Sequence, residues 1–229
     1  QLEVGLRVKV SYRLGANSPF GHLDSAKLDP ERCAGSPNWP GSTCATAFES
    51  WREEYDALQR KAKNEDYVKH FVDHYDGEVP VWAACEFMTM GCLLGLYNLM
   101  TRSDRKRIAD DLGVKDPAVL EGWLRALNVE RNHCAHNARM WNRSTIYPPD
   151  RINTRIVGSD LHHLVGADPH KVYFLAAVTG YLLRRIDAGT RWHSDFRTTM
   201  SKFPECQGLT PQNTMGFVDS WRDLDLWTV

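Results

Sequence analysis

A surplus of charge of either sign is missing from this chain. Its 229 residues carry 28 Lys and Arg against 29 Asp and Glu, a net charge of −1, so no global field advertises a polyanion or a membrane surface as partner. Cysteine is sparse: Cys33, Cys44, Cys85, Cys92, Cys134 and Cys206 include no CxxC pair, and no signal peptide is expected before them. Idle or buried thiols in a reducing cytoplasm are the expectation, not a disulfide framework. No clean membrane span is present either. The longest apolar run, residues 81–100, contains Glu86, which would cost about 3 kcal/mol in lipid. A buried soluble helix fits that run better. Repeats, low-complexity tracts, a Gly-rich phosphate loop and a Ser or Cys nucleophile signature are all lacking.

What is there is ordinary globular composition, 42% apolar and 25% charged, in a length that suits a single domain over 1–229. The chain opens at Gln1 rather than Met, so it is expected to be a piece of a longer protein. Charge is uneven along it: residues 101–157 hold 11 basic and 7 acidic side chains, whereas both flanking stretches are net acidic.

Periodicity and capping signals predict helices throughout. Phe48, Trp51, Tyr55, Leu58 and Ala62 step by three and four, and Tyr67, Phe71 and Tyr75 resume the pattern until Asp76-Gly77 stops it. One apolar helix is expected over 81–100, and a short basic one from a Ser103 cap to Gly113. Asp116-Pro117 is a helix start that predicts a long helix running at least to Asn142. Asp168-Pro169 repeats that signal for a helix through Ile186, and a last helix covers about 190–203. Residues 2–14 alternate like a strand, but Leu6, Val10 and Leu14 share one helical face, Glu3 and Arg7 form an i,i+4 pair, and a lone strand would have no sheet to join. Helix is the reading. Residues 16–46, with Pro19, Pro30, Pro37 and Pro40, read as a long loop. The fold class is all-α, a helical bundle with a long loop near the N-terminus.

The stretch 121–143, EGWLRALNVERNHCAHNARMWNR, carries the chemistry. On a helical wheel Leu120, Trp123, Leu124, Leu127, Cys134, Ala138 and Trp141 gather on one side, while Glu121, Arg125, Asn128, Asn132, His136, Arg139 and Arg143 line the other. Arg131 stands at the border. An imidazole flanked by an amide and guanidinium groups is a set that could hold a phosphodiester and move its protons. His133 and His136 form H-x-x-H around Cys134, but no second ligand pair accompanies them, so no metal is expected. His70 and His74 read as surface residues, and His162-His163 as loop. Trp123 and Trp141 read as core anchors, with base stacking the alternative for Trp141. Glu86 reads as a buried partner for Arg7.

Arg131-Asn132 followed by His136 resembles the R-(polar)-x3-H motif of HEPN ribonucleases, and the wider string RNHCAHNARMWNR resembles the signature of the Abi-like (AbiD/AbiF) abortive-infection family, a bacterial phage-defence group. LEVGLRVKVSYR at 2–13 is similar to an early helix of that family. Trp82, Glu86 and Gly91 are similar to a later one, and Phe203-Pro204, Met215-Gly216-Phe217 and Trp221 to its closing pattern. The likeness spans essentially all 229 residues. Two positions depart from it. Glu130 stands where a hydrophobic residue commonly precedes the Arg-Asn pair and is expected to pair with a neighbouring Arg. Asn137 replaces a frequent second His.

The resemblance implies a HEPN-like bundle, usually preceded by a further helical region, and a cofactor- and metal-independent endoribonuclease acting in phage defence as a toxin. It implies two motifs facing one another in a homodimer. His136 would be general base or acid, Arg131 would stabilise charge on the transition state, and Asn132 would orient the substrate. Arg125, Arg139, Arg143 and Trp141 would contact RNA. A small RNA or a protein antitoxin is an expected regulator. Two other readings stay open: a module that holds RNA without cutting it, and a structural dimerisation bundle.

Overall fold

A computed structural model describes residues 1–37 and 43–228. Every regular element among them is helical, and the one β-type contact is an isolated antiparallel bridge between Cys206 and Leu209. The chain is therefore all-α. It divides into two compact units, one built from Gln1 and Glu3–Ile108, the other from Leu2 and Ala109–Val229.

In the first unit, α1 (Leu2–Gly15) is the helix expected at the start. The alternation that mimics a strand comes from two interleaved helical stripes. Leu6, Val10 and Leu14 are buried, whereas Val4, Val8 and Tyr12 face outward. Arg7 donates to Glu3 at 2.8 Å and to the Met88 carbonyl at 3.0 Å. Glu86 does partner Arg7, at 3.8 Å, but its side chain is 65% exposed rather than buried. The expected loop 16–46 is only partly irregular. It contains two 3₁₀ turns, Gly21–Leu23 and Ser25–Lys27, and α2 (Pro30–Ala34), capped where the Asp29 carboxylate accepts from the Arg32 amide. Asp29-Pro30 is the same start signal that marks the longer helix at 116, and its brevity hid it. Pro40 lies outside the described residues.

Thr46 and Glu49 form a reciprocal capping box for α3 (Ala47–Lys61), and α4 (Asp66–His74) follows after a short turn. His70 and His74 are exposed surface residues. The apolar stretch 81–100 is two helices, α5 (Val81–Phe87) and α6 (Met90–Leu99), because Met88 and Thr89 are extended and the Thr89 hydroxyl accepts from the Cys92 amide as a new N-cap. α3 lies against α6 so closely that a Cβ on Gly95 would sit 2.8 Å from the Trp51 ring, while the Trp51 indole donates to the Cys92 carbonyl. α7 (Arg102–Asp111) starts directly after Thr101, whose hydroxyl accepts from the Asp104 amide; Ser103 is not its cap.

The second unit is organised by α8 (Pro117–Ala135), which begins where Asp116 accepts from the Ala118 amide. Leu120, Trp123, Leu124 and Leu127 are buried, and the Trp123 indole donates to the Asp150 carbonyl at 3.1 Å. Gly113, at φ +72°, makes the turn into this helix, where its carbonyl accepts from the Tyr181 hydroxyl at 2.6 Å. A 3₁₀ helix, Ser159–Leu164, holds His162 and His163, which the sequence placed in a loop. α9 (Val172–Ile186) is almost wholly buried, but it starts after Lys171; Asp168-Pro169 instead makes a turn in which Asp168 accepts from the His170 amide. α10 (Trp192–Ser201) matches expectation, and α11 (Pro211–Met215), too short for a periodic signal, does not appear in it. Phe217, Trp221 and Trp227 close the unit around Tyr173 and Phe196, with Phe196 and Trp227 stacked at 4.9 Å.

Candidate functional site

The long helix expected to reach Asn142 stops seven residues early, and that stop shapes the site. Asn137 takes the left-handed conformation at φ 54°, its amide donates to the Cys134 carbonyl, and the Ala138 amide donates to the His133 carbonyl. This is a Schellman ending with asparagine in the left-handed place, a role that Asn fills next best after Gly. Asn137 thus terminates the helix. Asn142 is also left-handed, at φ 49°, so two asparagines bracket residues 138–141, which have no regular structure except a turn.

The single helical stripe is therefore corrected. Glu121, Arg125, Asn128 and Asn132 lie along α8, His136 caps its C-terminal end, and Arg139 and Arg143 belong to the segment beyond it. Cys134 is exposed, not part of an apolar face; the buried residue of that turn is Glu130, at 6% exposure.

The last turn of α8 stands clear of its unit's interior. Arg131, Asn132, Cys134, Ala135 and His136 are all exposed, and so is Arg139. The Arg131 guanidinium donates to the Asn132 side-chain oxygen at 3.3 Å. Guanidinium groups are electrostatically favoured here, because the helix C-terminus carries partial negative charge. The same field repels an approaching phosphate, so an anion site at this end depends wholly on its cations.

Arg125 sits about 10 Å up the helix from Asn132. It pairs with Glu121 at 3.2 Å and is not gathered into the terminal cluster. Asp150, whose carboxyl is pushed up by burial and held back by the charge of Arg125, shares that same field. Trp141 is half-buried with its indole nitrogen enclosed, and the Arg139 guanidinium lies 5.9 Å from its ring centre.

Two residues of the site have a role that the sequence reading missed. The close partner of Glu130 is a histidine. Its carboxylate lies 3.2 Å from Nδ1 of His133, and Nε2 of His133 lies 3.0 Å from the Arg143 guanidinium. The i,i+3 spacing of Glu130 and His133 is visible in the sequence and would have suggested the first contact. The second crosses the left-handed break and has no local signal. Arg143 is thus engaged with the end of α8.

Among the described residues, no group of three or more His, Cys, Asp and Glu side chains is placed to hold a metal ion, and no helix is long and apolar enough to cross a membrane. Compared with known families, the sequence matches the family model of the Abi-like proteins over residues 1–142. The chain belongs to the Abi-like family. The match includes all of α8, the exposed motif turn and the segment up to Asn142, while the closing Met215-Gly216-Phe217 and Trp221 lie beyond it. No curated protein and no solved structure matches the chain. Membership points to abortive infection, a phage-defence response, and is compatible with a nuclease.

Proposed function

We propose that this Abi-like protein is a metal-independent endoribonuclease of the HEPN type, acting as a phage-defence toxin in the bacterial cytoplasm. The observation that supports this most is the joint exposure of Arg131, Asn132 and His136 on the terminal turn of α8, with Arg139 exposed just after it. Polar groups that served only their own unit's interior would be buried and satisfied there.

In the proposed reaction a ribose 2′-oxygen attacks the adjacent phosphorus, its proton passing to the neutral imidazole of His136. The bond from phosphorus to the 5′-oxygen breaks, and an imidazolium returns a proton to that oxygen. The products are a 2′,3′-cyclic phosphate and a 5′-hydroxyl end. Arg131 stabilises the charge that gathers on phosphorus oxygens in the transition state. Asn132, an amide that does not titrate usefully, orients the nucleotide or Arg131, to which it is already hydrogen-bonded. Arg139 holds a neighbouring phosphate. One Arg and one His surround a phosphodiester poorly, so two chains are proposed to bring their motif turns together in a homodimer, one His136 taking the proton and the other giving one.

The test is incubation of structured RNA with the protein in EDTA, comparing wild type with His136→Ala and Arg131→Ala. Cleavage by wild type alone, ending in a cyclic phosphate, is the expected outcome. Loss of wild-type cleavage in EDTA would remove the mechanism. Equal gel retardation of intact RNA by wild type and His136→Ala would instead make the protein an RNA-holding module. Neither binding nor cutting would leave a structural bundle.

A further inference from the structure

The Glu130–His133–Arg143 chain is a built feature that the cleavage reading above does not use. Glu130 is 6% exposed, and its second carboxylate oxygen, Oε1, is buried with no hydrogen-bond partner among the described residues. A buried carboxylate is costly unless it is matched by opposite charge. The matching charge here arrives through a neutral ring.

The chemistry of the donors fixes how. A guanidinium only donates hydrogen bonds, so Nε2 of His133, 3.0 Å from Arg143 Nη2, must be bare and accept. The ring proton then sits on Nδ1, and it is donated to Glu130 Oε2 at 3.2 Å. The three groups together are neutral, with the negative end inside and the positive end on the segment that follows the helix.

That segment needs fastening. Residues 138–144 have no helix or ladder to hold them, and they leave α8 through one left-handed asparagine and turn again at another. The Arg143–His133 contact ties the far end of the segment back to the last turn of the helix. Two residues further on, the Thr145 amide donates to the His170 carbonyl, while the His170 ring donates from Nδ1 to the Thr145 carbonyl at 2.9 Å. Between the helix and these ties lies Arg139, set against Trp141.

We infer that Glu130 and His133 are positioning residues: the buried carboxylate holds the His133 ring as the tautomer that accepts Arg143, and this clamp sets the 138–143 segment, with Arg139, next to the Arg131–His136 turn. The role in cleavage rests on the ribonuclease reading; the clamp itself does not. Arg143, expected from the sequence to bind phosphate, acts as the clamp's outer jaw. The Glu130 departure from the family pattern and the His133 that resembled half a metal site become parts of one device.

Three measurements on the full chain test this. Imidazole ¹⁵N spectra are expected to show His133 protonated on Nδ1 in wild type and in Glu130→Gln, which keeps an acceptor oxygen, but not in Glu130→Leu. Leucine replaces a half-satisfied buried carboxylate with an apolar group, so that variant keeps its fold. Amide hydrogen exchange over 138–143 is expected to rise in Glu130→Leu and in His133→Phe, with α9 amides unchanged. RNA cleavage is expected to fall about tenfold or more in kcat in both, as displaced catalytic groups do, while Arg143→Lys, which still donates, recovers most of what Arg143→Met loses. A His133 ring protonated on Nε2 in wild type would overturn the clamp, and so would unchanged 138–143 exchange in both variants. Loosened exchange with unchanged kcat would overturn the positioning role. If wild type cuts no RNA at all, the ribonuclease reading and the catalytic part of this inference fall together, while the spectra and exchange still decide the clamp.

Discussion

Asn137 shows how one residue redirects a site. A side chain there must accept φ 54°, which Gly and Asn tolerate and β-branched residues do not. Asn137→Gly is expected to leave stability within about 0.5 kcal/mol of wild type, and Asn137→Val to lose about 1–2 kcal/mol, both read from urea unfolding midpoints. Equal stability of the two variants would mean that the helix does not end on a left-handed residue. Cysteine reactivity is set at the same scale. Burial pushes the Cys33 thiol up to about 11 and the Cys85 thiol up to about 12, and it raises Cys92 further still. Cys134 and Cys206 are exposed. Iodoacetamide at neutral pH is expected to modify Cys134 and Cys206 and to spare the three buried thiols until the chain is unfolded, by mass spectrometry. Because Cys134 lies inside the motif turn, single-stranded RNA bound to His136→Ala is expected to slow its alkylation and leave Cys206 unaffected. Equal slowing at both, or at neither, would place the RNA elsewhere.

Elements in this protein are held by a few decisive contacts across their faces, and α3 is an example. Its Trp51 and Tyr55 are buried, and His22, from the 3₁₀ turn Gly21–Leu23, lies against both rings. Burial, helped by the nearby positive charge of Arg52, pulls the His22 ring down to about 3. Its Nε2 is 3.5 Å from the Tyr55 hydroxyl and its Nδ1 has no hydrogen-bond partner among the described residues. Unfolded, this histidine takes up a proton near pH 6.5; folded, it stays neutral until pH falls close to 3. Its contribution to stability is therefore complete above about pH 6.5 and is lost progressively as pH drops from there toward 3, at about 1.4 kcal/mol for each pH unit in that window. The urea midpoint is expected to decline from pH 6.5 to pH 4 in wild type, and markedly less in His22→Phe. Identical pH dependence in the two proteins would show that His22 is hydrated in the native state.

At the scale of the whole molecule, the proposed enzyme needs two motif turns. The protein is expected to sediment as a dimer at micromolar concentration, and a mixture of Arg131→Ala and His136→Ala chains to recover part of the activity that neither has alone. A monomer that cleaves RNA at full rate would dispense with the shared cleft. RNA affinity is expected to fall with salt in proportion to the phosphates held. Arg139→Ala should flatten that dependence, whereas Arg125→Ala, paired with Glu121 and about 10 Å up the helix, should not.

The helices themselves were readable because their causes are local. Thr46 with Glu49, and Asp116 with Pro117, act within one turn, and the three-and-four spacing of Leu120, Trp123, Leu124 and Leu127 marks a buried face wherever the rest of the chain goes. The exposed Arg131, Asn132 and His136 were recognisable for the same reason: they lie within six consecutive residues. Where helices break was another matter. The turn at Met88-Thr89 and the stop at Asn137 are small choices between nearly equal backbone states, which hydrophobic period alone does not rank. Glu130 shows its nearest partner in the i,i+3 spacing but not the charge that lies behind it. Its carboxylate is matched through His133 by an arginine thirteen residues on, across a reversal of chain direction, and no pattern of period or propensity records a contact that exists only once the chain has folded back.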